Sequence, residues 1–326
     1  MSSDDRILVG DVGGTHARFA VVEPVEEGPW RIRDRLDLAE RFATFNDALR
    51  SYLERAGLTA PPPRAAIAVA GPVEAGTARF TNRGWVISER ALVEFGFEGA
   101  DLINDFAALA LAVDLLQERD LHTIGPQLRG LAGGTITILG AGTGFGVSCL
   151  ARSGDRVVPM ATEGGHMGFA PGDAQELAVL DHMWKKGGRA SIERILSGDG
   201  LEHLYRTLEQ LAGRAPAELT ASEISAAALR NEAGARAALD MFCAVFGAVA
   251  GDLALAHGAR GGVYIAGGIG AKIEGFLHQS AFRRRFEDKG RLKPYVAAIP
   301  TRLIVNPDIA LLGAARAGRI SAAASI

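Results

Sequence analysis

The chain has 326 residues, 48% hydrophobic and 22% charged, with mean hydropathy +0.12 and a formal net charge of -3. That length exceeds what one hydrophobic core usually supports, so two domains are expected, and the composition excludes a disordered or collagen-like chain. A sequence pI near 6.2 leaves no basic footprint, and no apolar run reaches ~20 uninterrupted residues, so neither nucleic acid nor a membrane is an expected partner.

Ile7 to Val21 reads as a strand, a glycine turn with one acidic residue, and a second strand. Its glycines let backbone amides approach an anion, which makes Gly10, Asp11, Val12, Gly13, Gly14 and Thr15 a candidate phosphate turn. The pattern is neither the Walker loop, which needs Gly-Lys-Ser/Thr, nor the dinucleotide fingerprint, and a plain hairpin is the competing reading. Trp30 to Leu38 reads as a third strand. Phe45 to Ala56 has helical apolar spacing with Thr44 as N-cap. Beyond the stiff Ala60-Pro61-Pro62-Pro63 linker, Ala65 to Ala70 is a buried strand stopped by Gly71-Pro72. Val73 to Trp85 reads as a turn with short strands, and Ser88 caps a helix over Glu89 to Phe95. Asp101-Leu102-Ile103 forms a short strand that delivers Asn104-Asp105 to a helix over Phe106 to Leu116. The alternation is that of an α/β domain.

Thr135 to Leu150 repeats the opening design, with Gly142, Thr143 and Gly144 in the turn. Two related α/β domains are therefore expected, with their glycine turns facing one cleft. From Ala174 the chain reads as helical: through Trp184, over Ser191 to Leu196, over Leu201 to Leu211, and through the Ala-rich Ala221 to His257. Met241 to Ala256 is apolar nearly all round, and Gly247 and Gly251 suit a close helix crossing in a core. Gly262 to Ile269 is a buried strand ending at Gly267-Gly268, Phe282 to Gly290 is a charged surface segment, and Thr301 to Val305 is a last strand. Leu311 to Ala317 closes the chain as a helix returning to the first domain, giving domains of 1–110 plus about 301–326 and of 111–300. Cys149 and Cys243 fit no zinc spacing, and the N-terminus lacks a signal-peptide pattern, so a cytoplasmic protein with reduced thiols is expected.

Three constellations offer chemistry. At the end of a sheet strand, Asp105 is placed to take a proton from a substrate hydroxyl and Asn104 to hydrogen-bond a neighbouring one; helix capping is the equal alternative. Glu163 and His166 lie three residues apart across a glycine turn and suit polyol hydroxyls, or serve as ordinary loop residues. Glu193 points into the same region or is a solvated first-turn residue. Two glycine hairpins suit an ATP polyphosphate with Mg2+, and Asp11 is the carboxylate best placed to reach that metal directly, through water or through phosphate.

The ordered set Val9-Gly10-Asp11-Val12-Gly13-Gly14-Thr15-His16-Ala17-Arg18, Thr81-Asn82-x-x-Trp85, Ile103-Asn104-Asp105-Phe106, Gly140-Ala141-Gly142-Thr143-Gly144, Glu163-Gly164-Gly165-His166, Glu193-Arg194-x-Leu196-Ser197-Gly198 and Ala266-Gly267-Gly268 resembles the bacterial glucokinase family. The resemblance spans nearly the whole chain. It implies a two-domain actin-like (ribonuclease-H-like) ATPase fold with an interdomain cleft, ATP and Mg2+ as cofactors, glucose as substrate, and a cytoplasmic homodimer. It further implies Asp105 as the base for the sugar 6-hydroxyl, with Asn104, Glu163, His166 and Glu193 as sugar ligands. Gly10 to Thr15 and Gly140 to Gly144 become the phosphate turns, and Gly267-Gly268 lies by the nucleoside. The clustered Cys/His zinc segment of related sugar kinases is absent from the sequence, which points to the zinc-free branch. A sugar-binding regulator on the same fold and an actin-type ATP-binding protein are the rival classes; the first lacks a basic helix-turn-helix here, and the second has no use for the polar cluster at 163 to 166. Another hexose or a polyphosphate donor is the finer alternative.

Overall fold

The computed structural model describes residues 5–13, 17–23, 30–38, 42–80, 84–154 and 156–324. The chain divides into two compact units, 1–117 with 306–326, and 118–305. The first unit by this division runs to 117, past the expected 110, and resumes at 306, near the expected position of about 301; the strand at Thr301 belongs to the sheet of the second unit.

The first unit is built on a five-stranded sheet. Its strands are β1 (Ile7–Val12), β2 (Ala17–Glu23), β3 (Arg31–Leu38), β4 (Arg64–Val69) and β7 (Gly99–Asn104), ordered β3-β2-β1-β4-β7. A small hairpin, β5 (Thr77–Arg79) and β6 (Val86–Ser88), stands apart from it. β1 is antiparallel to β2 and parallel to β4, and β4 is parallel to β7, so β1, β4 and β7 end along one edge. Side chains alternate across the sheet. Leu8 and Val12 face one core with Phe19, Ile67 and the buried stripe of helix α1 (Phe45–Arg55), while Ile7 and Val9 face a second core with Ala66 and Ala68. Thr44 and Asp47 close α1 with a reciprocal capping box, and Ser88 caps α2 (Glu89–Phe95). Helix α3 (Asp105–Ala112) is shorter than the sequence spacing suggests, passing into a 3-10 turn at Val113–Leu115.

The second unit carries a six-stranded sheet from β8 (Leu121–Thr123), β9 (Ile136–Ala141), β10 (Phe145–Ser153), β11 (Arg156–Thr162), β12 (Gly262–Ala266) and β13 (Thr301–Ile304), ordered β11-β10-β9-β12-β13-β8. β8 and β11 have no counterpart in the sequence reading. Around this sheet lie α4 (Ala174–Lys185), α5 (Gly198–Leu211), α6 (Ala221–Leu229), α7 (Ala233–Ala256), α8 (Gly268–Lys272), α9 (Glu274–Gln279), α10 (Phe282–Glu287) and α11 (Lys293–Ala297). The segment Ser191 to Leu196 is a series of turns, not a helix. The Ala-rich segment is broken between α6 and α7, where Asn231 takes a φ of 63°. Among the described residues α7 alone is long and apolar enough to cross a membrane; Phe242, Phe246 and Ala250 are buried in the core of this unit.

Phe282 to Gly290 corrects the sequence expectation most clearly. Phe282 and Phe286 are fully buried, because the (i, i+4) pair turns one face of α10 into the core against α7. Arg285 on the same helix makes a two-pronged ion pair with Glu176, Nη1 to Oε1 at 2.7 Å and Nη2 to Oε2 at 3.0 Å, with Glu176 only 1% exposed. The Gly172 amide donates a third hydrogen bond to that carboxylate.

The last helix, α12 (Ile309–Ala324), rejoins the first unit and packs Leu311, Ala314 and Ala315 onto the Ile7 and Val9 face of its sheet. In the second unit, the crossing of α7 and α10 offers a test of close packing. A Cβ on Gly247 would lie 2.0 Å from the Phe282 carbonyl oxygen, so Gly247→Ala is expected to destabilise the protein by about 1 to 3 kcal/mol, read from urea unfolding midpoints. An unchanged midpoint would show that the crossing yields freely.

Candidate functional site

In the first unit the parallel strands bring the predicted residues to one sheet edge. Val12 stands beside Val69, and Val69 beside Asn104, so Gly13 and Asp105 leave the sheet side by side, whereas Gly10, Asp11 and Val12, expected in the turn, are paired within β1 on both sides. Crevices outside the carboxyl ends of parallel strands are where such sheets bind ligands. Asn104 caps α3: its Oδ1 accepts from the Ala107 amide at 3.0 Å, and its Nδ2 donates to the Gly71 carbonyl at 3.1 Å. Both ends of the amide are therefore held, and Asp105 comes next in the first helical turn, half-buried, with its Oδ1 accepting from the Phe106 amide. Gly14 and Thr15 lie outside the described residues.

Asp11 sits opposite Arg18 in the β1 and β2 hairpin, 3.8 Å from its guanidinium. Arg18 in turn donates to Asp37 at 2.8 Å and to the Pro307 carbonyl at 2.8 Å. In the sequence Arg18 closes the opening motif without an assigned role; the hairpin register is the signal that pairs it with Asp11. Burial pushes the Asp11 carboxyl above its ordinary value of 3.8, the Arg18 charge pulls it down, and Asp37 adds to the rise. Among the described residues no cluster of three or more His, Cys, Asp or Glu is arranged to hold a metal.

In the second unit, β9, β11 and β12 also end along one edge, and the turns Gly142–Gly144, Glu163–His166 and Gly267–Gly268 lead on from it. Glu193 joins two of them. Its Oε2 accepts from the Phe145 amide at 2.9 Å, and its own amide donates to the Gly165 carbonyl at 2.9 Å. The carboxylate lies so close beneath Gly144 that a Cβ there would meet it at 2.6 Å. Glu193 is thus a turn residue under the second glycine hairpin, not a solvated helix-start residue. Glu163 and His166 are well exposed, with Oε2 and Nε2 3.9 Å apart. In the glycine turn the Gly142 amide donates to the Gly144 carbonyl, while the Thr143 and Gly144 amides have no partner among the described residues.

The glycines of these turns divide by what surrounds them. A Cβ on Gly140 would lie 2.4 Å from the Ala266 carbonyl oxygen and one on Gly267 2.4 Å from that of Ala141, so both are fixed by strand packing. Gly142 and Gly268 face open space, where a ligand can approach the backbone. Beside Thr143 and Glu193 opens a pocket of about 530 Å3 that also includes Lys186, Arg194, His203 and Arg206, which the sequence reading missed. Their spacing along turns and the start of α5 carries no motif. Burial, and after it the Lys186 charge, lowers the His203 imidazole below its ordinary value, so it is neutral at pH 7.

The family profile described as Glucokinase matches residues 8–320. A glucokinase of Caulobacter sp. (strain K31) is 47% identical over 309 residues, covering 94% of this chain and 93% of the relative. The structure of a glucokinase from an Antarctic psychrotroph superposes with a TM-score of 0.86 at 35% identity, covering 97% of this chain and 99% of that one. A ROK family glucokinase from Streptomyces griseus, solved with glucose and AMPPNP, shares the fold with a TM-score of 0.65 at 19% identity.

The Asp11 geometry fixes a pH dependence. Because the folded carboxyl binds its proton more tightly than the unfolded chain does, ionising Asp11 costs stability above its raised pKa and costs nothing below the ordinary one. Asp11→Asn is therefore expected to be more stable than the parent at neutral pH, with the difference vanishing as the pH falls below about 4 in chemical unfolding across pH. A less stable variant at neutral pH would contradict burial as the dominant influence.

Proposed function

The chain belongs to the glucokinase family, and from that premise we propose how its own residues carry the transfer of a phosphoryl group from ATP to glucose. Its fold is that of the actin-like sugar-kinase ATPases, and its activity is ATP-dependent phosphorylation of glucose. The observation that carries the residue assignment is the common edge in each unit: a glycine turn and carboxylates leave the same ends of parallel strands.

Asp105 is the general base. Its carboxylate takes the proton of the sugar 6-hydroxyl as that oxygen forms its bond to the γ-phosphorus, and the bond to the ADP oxygen breaks. Asn104, held at both ends of its amide, fixes where α3 starts and so where Asp105 points; its remaining N–H and lone pair serve a sugar hydroxyl. Glu163, His166 and Glu193 are the sugar ligands of the second unit. One oxygen of Glu193 is committed to the Phe145 amide, which orients the other. The Thr143 and Gly144 amides, with the Thr143 hydroxyl, receive phosphate oxygens, and Gly10 to Gly13 provide the first phosphate turn. Gly268 gives the nucleoside its open approach.

Mg2+ fits this donor set as a phosphate-bound ion, since such ions are held by one or two carboxylates plus substrate oxygens instead of a protein cage. When bound it supplies charge neutralisation for the transferring phosphoryl group. Asp11, tied by Arg18 and still partly exposed, is the residue that would hold it, directly or through water. The same reading makes the protein a cytoplasmic homodimer of the zinc-free branch.

Two kinetic experiments test the assignment. Asp105→Asn is expected to lower kcat by roughly 100-fold or more with little change in glucose affinity, measured by ADP release and by glucose titration; near-parental turnover would remove Asp105 as base. Glu163→Gln or His166→Ala should instead raise the glucose KM roughly tenfold or more while ATP affinity holds, and an unchanged KM would remove them from the sugar site.

A further inference from the structure

We propose that a second cavity, of about 470 Å3 at the starts of β9 and β12, binds a small ligand with an oxyanion head, phosphate or carboxylate, on an apolar body. Its charged lining residues are Arg129 and Arg260, and no acidic side chain lines it. Neither guanidinium has a hydrogen bond or an ion pair among the described residues, unlike Arg283 and Arg285 elsewhere in the same unit.

The two arginines are carried by backbone segments that hold each other. The Leu131 amide donates to the Arg260 carbonyl at 2.8 Å, and the Gly261 amide donates to the Thr135 carbonyl at 2.8 Å. A Cβ at Gly130 would lie 2.0 Å from the Gly261 carbonyl oxygen, so the segments meet only because position 130 lacks a side chain. The opposite wall comes from α11 and the residues after it, where Tyr295 offers a hydroxyl and Ala298 and Ile299 an apolar surface. Leu131, 51% exposed at the rim, extends that surface.

These features select a ligand class. A guanidinium binds planar or tetrahedral oxyanions through paired N–H groups, and two of them without a competing carboxylate favour an anion strongly over a neutral or cationic ligand. The volume lies within the ~300 to 1,000 Å3 of small-molecule pockets, and the apolar wall calls for a ring or short chain behind the anion. The cavity is distinct from the proposed nucleotide turns. It stands at the starts of β9 and β12, whose far ends carry Gly142–Gly144 and Gly267–Gly268, a strand length of roughly 16 to 20 Å away.

Calorimetric titration of the full chain with phenyl phosphate, its active site saturated with glucose and ADP, tests the proposal. One-to-one saturable binding is expected, with inorganic phosphate weaker and benzyl alcohol silent. Arg129→Ala and Arg260→Ala should each weaken phenyl phosphate roughly tenfold, with glucose phosphorylation in its absence and the unfolding midpoint unchanged. Absence of saturation at millimolar phenyl phosphate, or equal affinity in the Arg129→Ala/Arg260→Ala double variant, would overturn it. So would benzyl alcohol binding as tightly.

Discussion

The second unit depends on two strand ends that touch backbone to backbone. Gly140 admits the Ala266 carbonyl and Gly267 admits that of Ala141, each at a distance no side chain would tolerate. With nothing between them, β9 and β12 deliver their turns as neighbours, and Glu193 then ties the first of these turns to the Gly164-Gly165 segment. The contact therefore sets the spacing of three segments at once. Widening it would disturb a sheet in which β9 is buried along its whole length, and interiors packed like crystals pass such shifts on instead of absorbing them.

Both sheets use one topology. The order β3-β2-β1-β4-β7 in the first unit is repeated by β11-β10-β9-β12-β13 in the second: a three-stranded antiparallel meander and then two parallel strands. In each, the end of the meander's first strand stands beside the ends of the parallel pair. A helix cap then completes the first edge, where Asn104 stops β7 and starts α3. A glutamate from a distant turn completes the second. On the proposed assignment the same scaffold supports a proton acceptor in one unit and hydroxyl-binding groups in the other, with the difference confined to the turns and caps beyond the strand ends.

The elements with a single strong local signal were legible in the sequence. Continuous apolar runs marked β1, β4 and β9, Gly71-Pro72 and Gly142 marked where the last two stop, and Thr44 and Ser88 marked helix starts that the structure caps with their side chains. Weakly patterned edges were not: β11 is largely exposed and lies at the margin of its sheet, so it carries no buried run. Ile192, Ile195 and Leu196 imitate a helical stripe, yet Glu193 is bound to two other segments and the chain turns around it. The charges of 282–290 concealed Phe282 and Phe286, because the partner that lets Arg285 be buried is 109 residues away. For the candidate site, residue types and order pointed to sugar-kinase chemistry; the Arg18 tie to Asp11 required the hairpin register, and the arginine-lined cavity required two loops with no sequence relation.

The buried pair of Glu176 and Arg285 also bears on how this chain can change over time. Without Arg285, Glu176 would be left as an uncompensated charge in the core, a loss of about 3 to 5 kcal/mol; without Glu176, Arg285 would keep only Asp173, 3.6 Å away and half exposed, whereas an apolar pair of similar volume can replace both at little cost. The loss in the intermediate with one position altered is a large fraction of the about 5 to 15 kcal/mol that holds an ordinary domain folded. Positions 176 and 285 are thus coupled, and the route between an ionic and an apolar join of α4 and α10 passes through a markedly less stable protein unless a stabilising change elsewhere comes first.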